Sequence, residues 1–204
     1  MRSSLVCVAL GLAFGLIPVA LQGQDPRLAS RLSAGTAQVV QELADSARAA
    51  SLPHEPLILK ALEGASKGAD SARIVTAVRA LAGRLQEAAR ALGPAATEAE
   101  LVAGAAALRA GVQPDRLSSL KSLRPREQVT VPLSVLADLF AAGITPERAW
   151  SSVRDMASRG AADADYLALR DRLVPPGASG PTRLPPAAEY PPAPTRPNSD
   201  RQDR

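Results

Sequence analysis

The chain predicts an all-α fold, an array of short amphipathic helices paired as helical hairpins. Three observations predict it. Hydrophobic residues make up 46% of the 204 positions but aromatic residues only 2%. The core must therefore be alanine, leucine and valine, and alanine is both the best helix former and small enough to let helices approach closely. Strand formers are scarce, the run Gln128-Val129-Thr130-Val131 excepted. Finally, three helix starts are written in nearly the same words: Gly68-Ala69-Asp70-Ser71-Ala72-Arg73-Ile74, Gly111-Val112-Gln113-Pro114-Asp115-Arg116-Leu117 and Gly143-Ile144-Thr145-Pro146-Glu147-Arg148-Ala149. Each reads as the end of one helix, a tight turn and the beginning of the next.

Before the array stands a segment of different character. Arg2 is the only charge ahead of an apolar run from Leu5 to Leu21, broken by Gln22-Gly23-Gln24-Asp25. A charged start followed by an apolar stretch of this length is a secretory signal, assigned to residues 1–23. Cuts after Ala20, Gln22 and Gly23 each leave one position unsuited to signal cleavage. An uncleaved anchor is the other reading, because the run is only slightly shorter than the roughly 20 residues that span a bilayer. The sole cysteine, Cys7, lies inside the apolar stretch, where it cannot be a lipidation site. Removing the signal leaves a chain without thiols, which takes disulfides, thiol catalysis and thiolate metal sites with it.

Behind the array the composition changes again. Pro175-Pro176-Gly177, Leu184-Pro185-Pro186, Tyr190-Pro191-Pro192 and Arg196-Pro197 cannot continue a helix. Residues 175–204 are expected to be a disordered, Pro-rich tail of polyproline character. It serves either as a spacer or as a strip that docks on an aromatic groove or a cell-wall component. Residues 24–174 remain, about 150 positions, which is one domain of ordinary size.

Within the domain each helix has its own signals. Ala34 to Ala50 places Val39, Val40, Leu43 and Ala47 on one face. Pro53 and Pro56 punctuate the next start, after which Leu57, Ala61, Leu62 and Ala65 recur at helical spacing. The longest helix runs from Ser71 to Leu92, capped by Asp70 and ended by Gly93-Pro94, with a stripe of Ile74, Val78, Leu81, Leu85, Ala88 and Leu92. Thr97 and Glu100 form a capping-box pair for a helix carrying Leu101, Ala105 and Leu108. Pro114 opens a short helix with Leu117 and Leu120, and Arg124-Pro125-Arg126-Glu127-Gln128 reads as a polar connector. Helices resume at Pro132 with Leu133, Leu136, Ala137 and Phe140. Thr145-Pro146 caps and opens the next, with Ala149, Trp150, Val153 and Ala157 in line, and the last carries Tyr166, Leu167, Arg170 and Leu173.

The turns hint at a repeat. Ser51 and Gly143 lie 92 positions apart, and so do Gly68 and Gly160. Half that distance from Ser51 falls on Thr97, another cap. A two-helix unit of about 46 residues would be solenoid-like. Only turn and capping positions match, so convergent turn chemistry in an irregular bundle explains them equally. The helix starts carry neither the tetratricopeptide nor the ankyrin signature.

No candidate catalytic, cofactor-binding or metal-binding residue emerges. His54 is the only histidine and sits at a helix start. The pairs Glu98/Glu100 and Asp163/Asp165 fall in first helical turns, where acids meet the positive end of the dipole. They lack the glycine and terminal glutamate of a calcium loop. The net charge of +4 comes from arginines interspersed with acids, such as Arg73, Arg79, Arg84, Glu87 and Arg90 on one helix, which describes a solvated face and not a nucleic-acid stripe. Residues 133–153 compare poorly with a DNA-binding helix-turn-helix. Leu139 stands where a small residue is needed, and Glu147 and Asp155 accompany the donors Arg148 and Arg154. Trp150, Phe140 and Tyr166 are expected in one cluster of the core.

The sequence therefore reads as an exported bacterial helical protein, periplasmic or secreted. Its expected role is a non-catalytic interaction or scaffold module with a protein partner in the cell envelope, no nucleic acid, and membrane contact only through an uncleaved N-terminal segment. A structural protein that binds unfolded clients or a membrane surface is an alternative, and a carboxylate-dependent hydrolase is another.

Overall fold

A computed structural model describes residues 25–174; the segments assigned above to the signal and to the Pro-rich tail lie outside the described residues. Among the described residues every regular element is a helix: α1 (Pro26–Ala29), α2 (Ala34–Ala49), α3 (Glu55–Ser66), α4 (Ser71–Leu92), α5 (Glu98–Arg109), α6 (Pro114–Leu123), α7 (Thr130–Ala141), α8 (Pro146–Ser158) and α9 (Asp163–Leu173).

One turn geometry ends five of these helices. Gly143 has φ +80°, and its N–H donates to Phe140 O at 3.0 Å while the next N–H, from Ile144, donates to Leu139 O at 3.0 Å. The same pair of bonds follows Ser51, Gly68, Gly111 and Gly160, each with positive φ. This arrangement satisfies two carbonyls that a helix end would otherwise leave unpaired, and it needs the left-handed conformation that glycine adopts without a Cβ clash. Ser51, at φ 56°, is the non-glycine among them. After Gly68, Gly111, Gly143 and Gly160 come one further residue and then an extended N-cap, so the connection has constant length. The three starts singled out in the sequence are thus three copies of one corner. Thr145 departs from expectation: it occupies the N-cap without a side-chain bond to the helix.

Every extensive packing contact joins helices one or two apart in the chain. Helices α2, α4, α6 and α8 form one row, each against the next; α5, α7 and α9 form a second, with α1 against α3 at the N-terminal end. Rungs such as α3 on α4, α4 on α5 and α7 on α8 join the rows. Alanine and glycine make this possible. A Cβ on Gly104 would lie 3.0 Å from Ala88 Cβ and 3.3 Å from Leu117 Cδ2, so α5 sits close against α4, with the Leu117 side chain of α6 reaching over the same spot.

Some elements differ from the sequence reading. The short α1 was not expected; Leu28 pins it in the core, and Arg27 bridges Asp25 and Glu55. Helix α7 begins two residues before Pro132, because proline in a first turn displaces no helical hydrogen bond. It is buried nearly all round, with Val135 and Leu139 inside as well as Leu133 and Leu136, as a helix flanked by α5, α8 and α9 must be. In α9 the apolar contact comes from Tyr166 and Leu169, and Leu167 is 40% exposed.

Candidate functional site

The outward face of the second row carries a shallow groove of about 640 Å³ between α5 and α7. Ala99, Val102, Ala103 and Ala106 line it from α5, Thr130 and Ser134 from α7, and Glu98 stands at the start of α5. It exists because α5 is slender on both sides. Ala105, Ala107 and Gly104 bring its inner face onto neighbours. Ala99 and Ala106 leave its outer face low, and Val102, 39% exposed, projects from it. Apolar walls of small side chains fit the ridge of another helix.

Two buried polar nodes lie in this half of the fold, and one of them holds the groove's walls together. The first is Glu100, 1% exposed. Its Oε2 accepts from Thr97 N at 2.8 Å, and its Oε1 accepts from Lys121 Nζ at 2.8 Å and from Val129 N at 3.0 Å. A residue that the sequence marks only as the third position of a capping box is therefore a latch among α5, α6 and the entry to α7. Burial pushes its carboxyl up, but the Lys121 ammonium and the amides of Thr97 and Val129 outweigh that and hold it below the ordinary glutamate value.

The second node lies at the start of the polar connector, whose residues 125–128 are exposed. Arg124 is buried; it donates to Ala161 O at 2.7 Å and to Tyr166 Oη at 3.3 Å, stacks on the Tyr166 ring and pairs with Glu127. It ties the α6–α7 connector to the α8–α9 turn. Phe140 and Trp150, by contrast, both lie under Arg116 at 5.9 and 5.8 Å. The three rings thus divide between two guanidinium groups.

The remaining polar candidates sit at helix starts. His54 is the N-cap of α3, Asp165 accepts from Ala162 N at 3.0 Å, and Asp163 faces Arg124 at 3.9 Å. A second groove, between α1 and α3, is lined by Arg27, Ser30, Arg31, Leu62 and Ser66; Arg27 there is already held by Asp25 and Glu55. Neither groove sets two carboxylates face to face. Among the described residues no three His, Cys, Asp or Glu side chains gather as a metal site would need. No described helix is long and apolar enough to cross a membrane.

Fold and site together define a class, an all-helical two-row array with an apolar groove on one face. No family model matches the chain, and neither a curated protein nor a solved structure matches it.

Proposed function

We propose that this is an exported, non-catalytic interaction module of the bacterial cell envelope, periplasmic or secreted, whose α5–α7 groove receives one helix of a protein partner. The observation that carries the reading is the groove: Val102 stands exposed over an alanine floor whose two walls are locked together by the buried Glu100. Export rests on the charged start and apolar run within residues 1–23. A photo-crosslinking side chain at position 102 tests the site in cells, with exposed Gln38 on α2 as the control position. A discrete protein adduct from position 102 and none from 38 is the expected result. No adduct, or the same adducts from both positions, would remove the groove as a docking site. Release of the chain by osmotic shock tests the compartment.

A second reading, binding of unfolded clients, draws on Leu59 of α3 and Leu167 of α9, 53% and 40% exposed. Single exposed leucines are ordinary on protein surfaces, whereas the groove is a continuous apolar feature, so we place the partner-helix reading first. A carboxylate hydrolase draws no support from grooves that hold at most one acid.

A further inference from the structure

We infer that α4 is a hinge: it bends about Gly83 and lets the α1–α3 end of the array swing against the α5–α9 end. The first observation is a missing contact. Elsewhere in the array each helix packs on the one two places further along, as α2 does on α4, α4 on α6, α5 on α7 and α7 on α9. Only α3 lacks that contact, for it does not pack extensively on α5. Consequently no helix of the α1–α3 group packs extensively on any helix of the α5–α9 group, and α4 is the element they share. Side chains do not bridge the groups either. Arg27 reaches Glu55 and the Asp25 amide reaches Gln41 within the first group. Lys121 reaches Glu100 and Arg124 reaches Ala161 within the second. Among the described residues no hydrogen bond or ion pair joins residues 25–70 to residues 93–174.

Burial along α4 breaks at the same place. Ile74 and Val78 are buried in its first half, and Leu85, Ala88 and Leu92 in its second. None of the six consecutive residues between them, 79–84, is buried. Leu81 continues the apolar stripe in sequence, yet it stays partly open. The covers of the two halves explain this. Ile74 lies against Gly64 of α3, and Ala88 and Leu92 lie against Gly104 of α5; Leu81 falls between them. At the centre of the open stretch stands Gly83. Glycine is the poorest helix former after proline, and a Cβ here would meet nothing within 4 Å. No close approach calls for glycine, so what it supplies is backbone freedom where the helix crosses from one packed group to the other. The groove between α5 and α7 lies wholly within the second group. Bending changes the angle at which α1–α3 stand to that groove and leaves its shape intact, whatever the groove receives.

Distances between spin labels test the hinge directly. In a Cys7→Ser background, Ser46→Cys on α2 with Ser119→Cys on α6 spans it. Ser119→Cys with Ala168→Cys on α9 lies within one group. All three positions are exposed, and circular dichroism checks that helicity is kept. Pulsed electron resonance of nitroxides on the purified full chain reads the distribution of each distance. The distribution across the hinge should be roughly twofold broader or more than the one within the group. Gly83→Ala, which stiffens the helix without meeting a neighbour, should narrow it toward the within-group width. Equal widths for the two pairs overturn the inference, and so does a broad distribution that Gly83→Ala leaves unchanged.

Discussion

Glu100 and Lys121 meet at 2.8 Å with the carboxylate 1% exposed. Its two oxygens also serve Thr97 and Val129, so the buried charge is fully solvated by the protein. Glu100→Ala would strand the Lys121 ammonium and two amides, at a cost of about 3–5 kcal/mol. Glu100→Gln keeps an acceptor oxygen and should cost less, about 1–2 kcal/mol. Urea denaturation of the two variants measures both. Equal midpoints for wild type and Glu100→Ala would show that the latch contributes nothing.

The same carboxylate makes a pH prediction. Its folded-state pKa lies below the ordinary value of 4.5 despite burial, because Lys121, Thr97 and Val129 favour the ionised form. A depressed acid stabilises the fold above its unfolded pKa, and that stability is lost as pH falls through the folded one. Glu63, lowered to about 2 by Lys60 and Lys67, is exposed and adds little. The stability gap between wild type and Glu100→Gln should therefore shrink as pH is lowered from about 6 to about 3. A gap that stays constant would assign the effect to hydrogen bonding and not to charge.

These residues also mark where the sequence stops being legible. Helix α4 was readable from Asp70 to Gly93 because its signals are local: a capping carboxylate, a stripe at helical spacing and a terminal glycine. The box of Thr97 and Glu100 was readable for the same reason. The burial of Glu100 was not, since Lys121 and Val129 reach it only after α6 has folded back. The burial of Arg124 in the polar connector was not readable either, because Ala161 and Tyr166, its partners, lie far along the chain. In α9 the apolar residues make no single stripe, so Leu167 and Leu169 could not be told apart until α7 covered one of them. The groove is an absence of side-chain bulk, and alanines such as Ala99 and Ala106 read the same whether they floor a groove or fill a core.

Arg124 gives a graded pair of variants. Tyr166→Phe removes one hydroxyl that accepts from the guanidinium, at about 1 kcal/mol. Arg124→Ala removes the donors to Ala161 O and Tyr166 Oη and the cation beside the exposed Glu127 and Asp163. It should cost about 2–3 kcal/mol, the loss of a charged donor to two buried acceptors. Melting curves of the two should separate clearly, and an Arg124→Ala loss no larger than that of Tyr166→Phe would reduce Arg124 to a surface charge.

Gly83 and Gly104 should respond to the same substitution with opposite signs. Both lie inside helices, so alanine at either gains roughly 0.5–1 kcal/mol of helix propensity. At Gly83 nothing stands within 4 Å of the added methyl, and the whole gain should appear in the stability of the monomer. At Gly104 the methyl would come to 3.0 Å from Ala88 Cβ and 3.2 Å from Leu92 Cδ1. Ala88 has no rotamer to yield, so α5 must move away from α4, and overpacking of this kind costs about 1–3 kcal/mol. Guanidinium denaturation of dilute Gly83→Ala and Gly104→Ala reads both signs directly. A Gly104→Ala chain as stable as Gly83→Ala would mean that α4 and α5 are not held at the separation described.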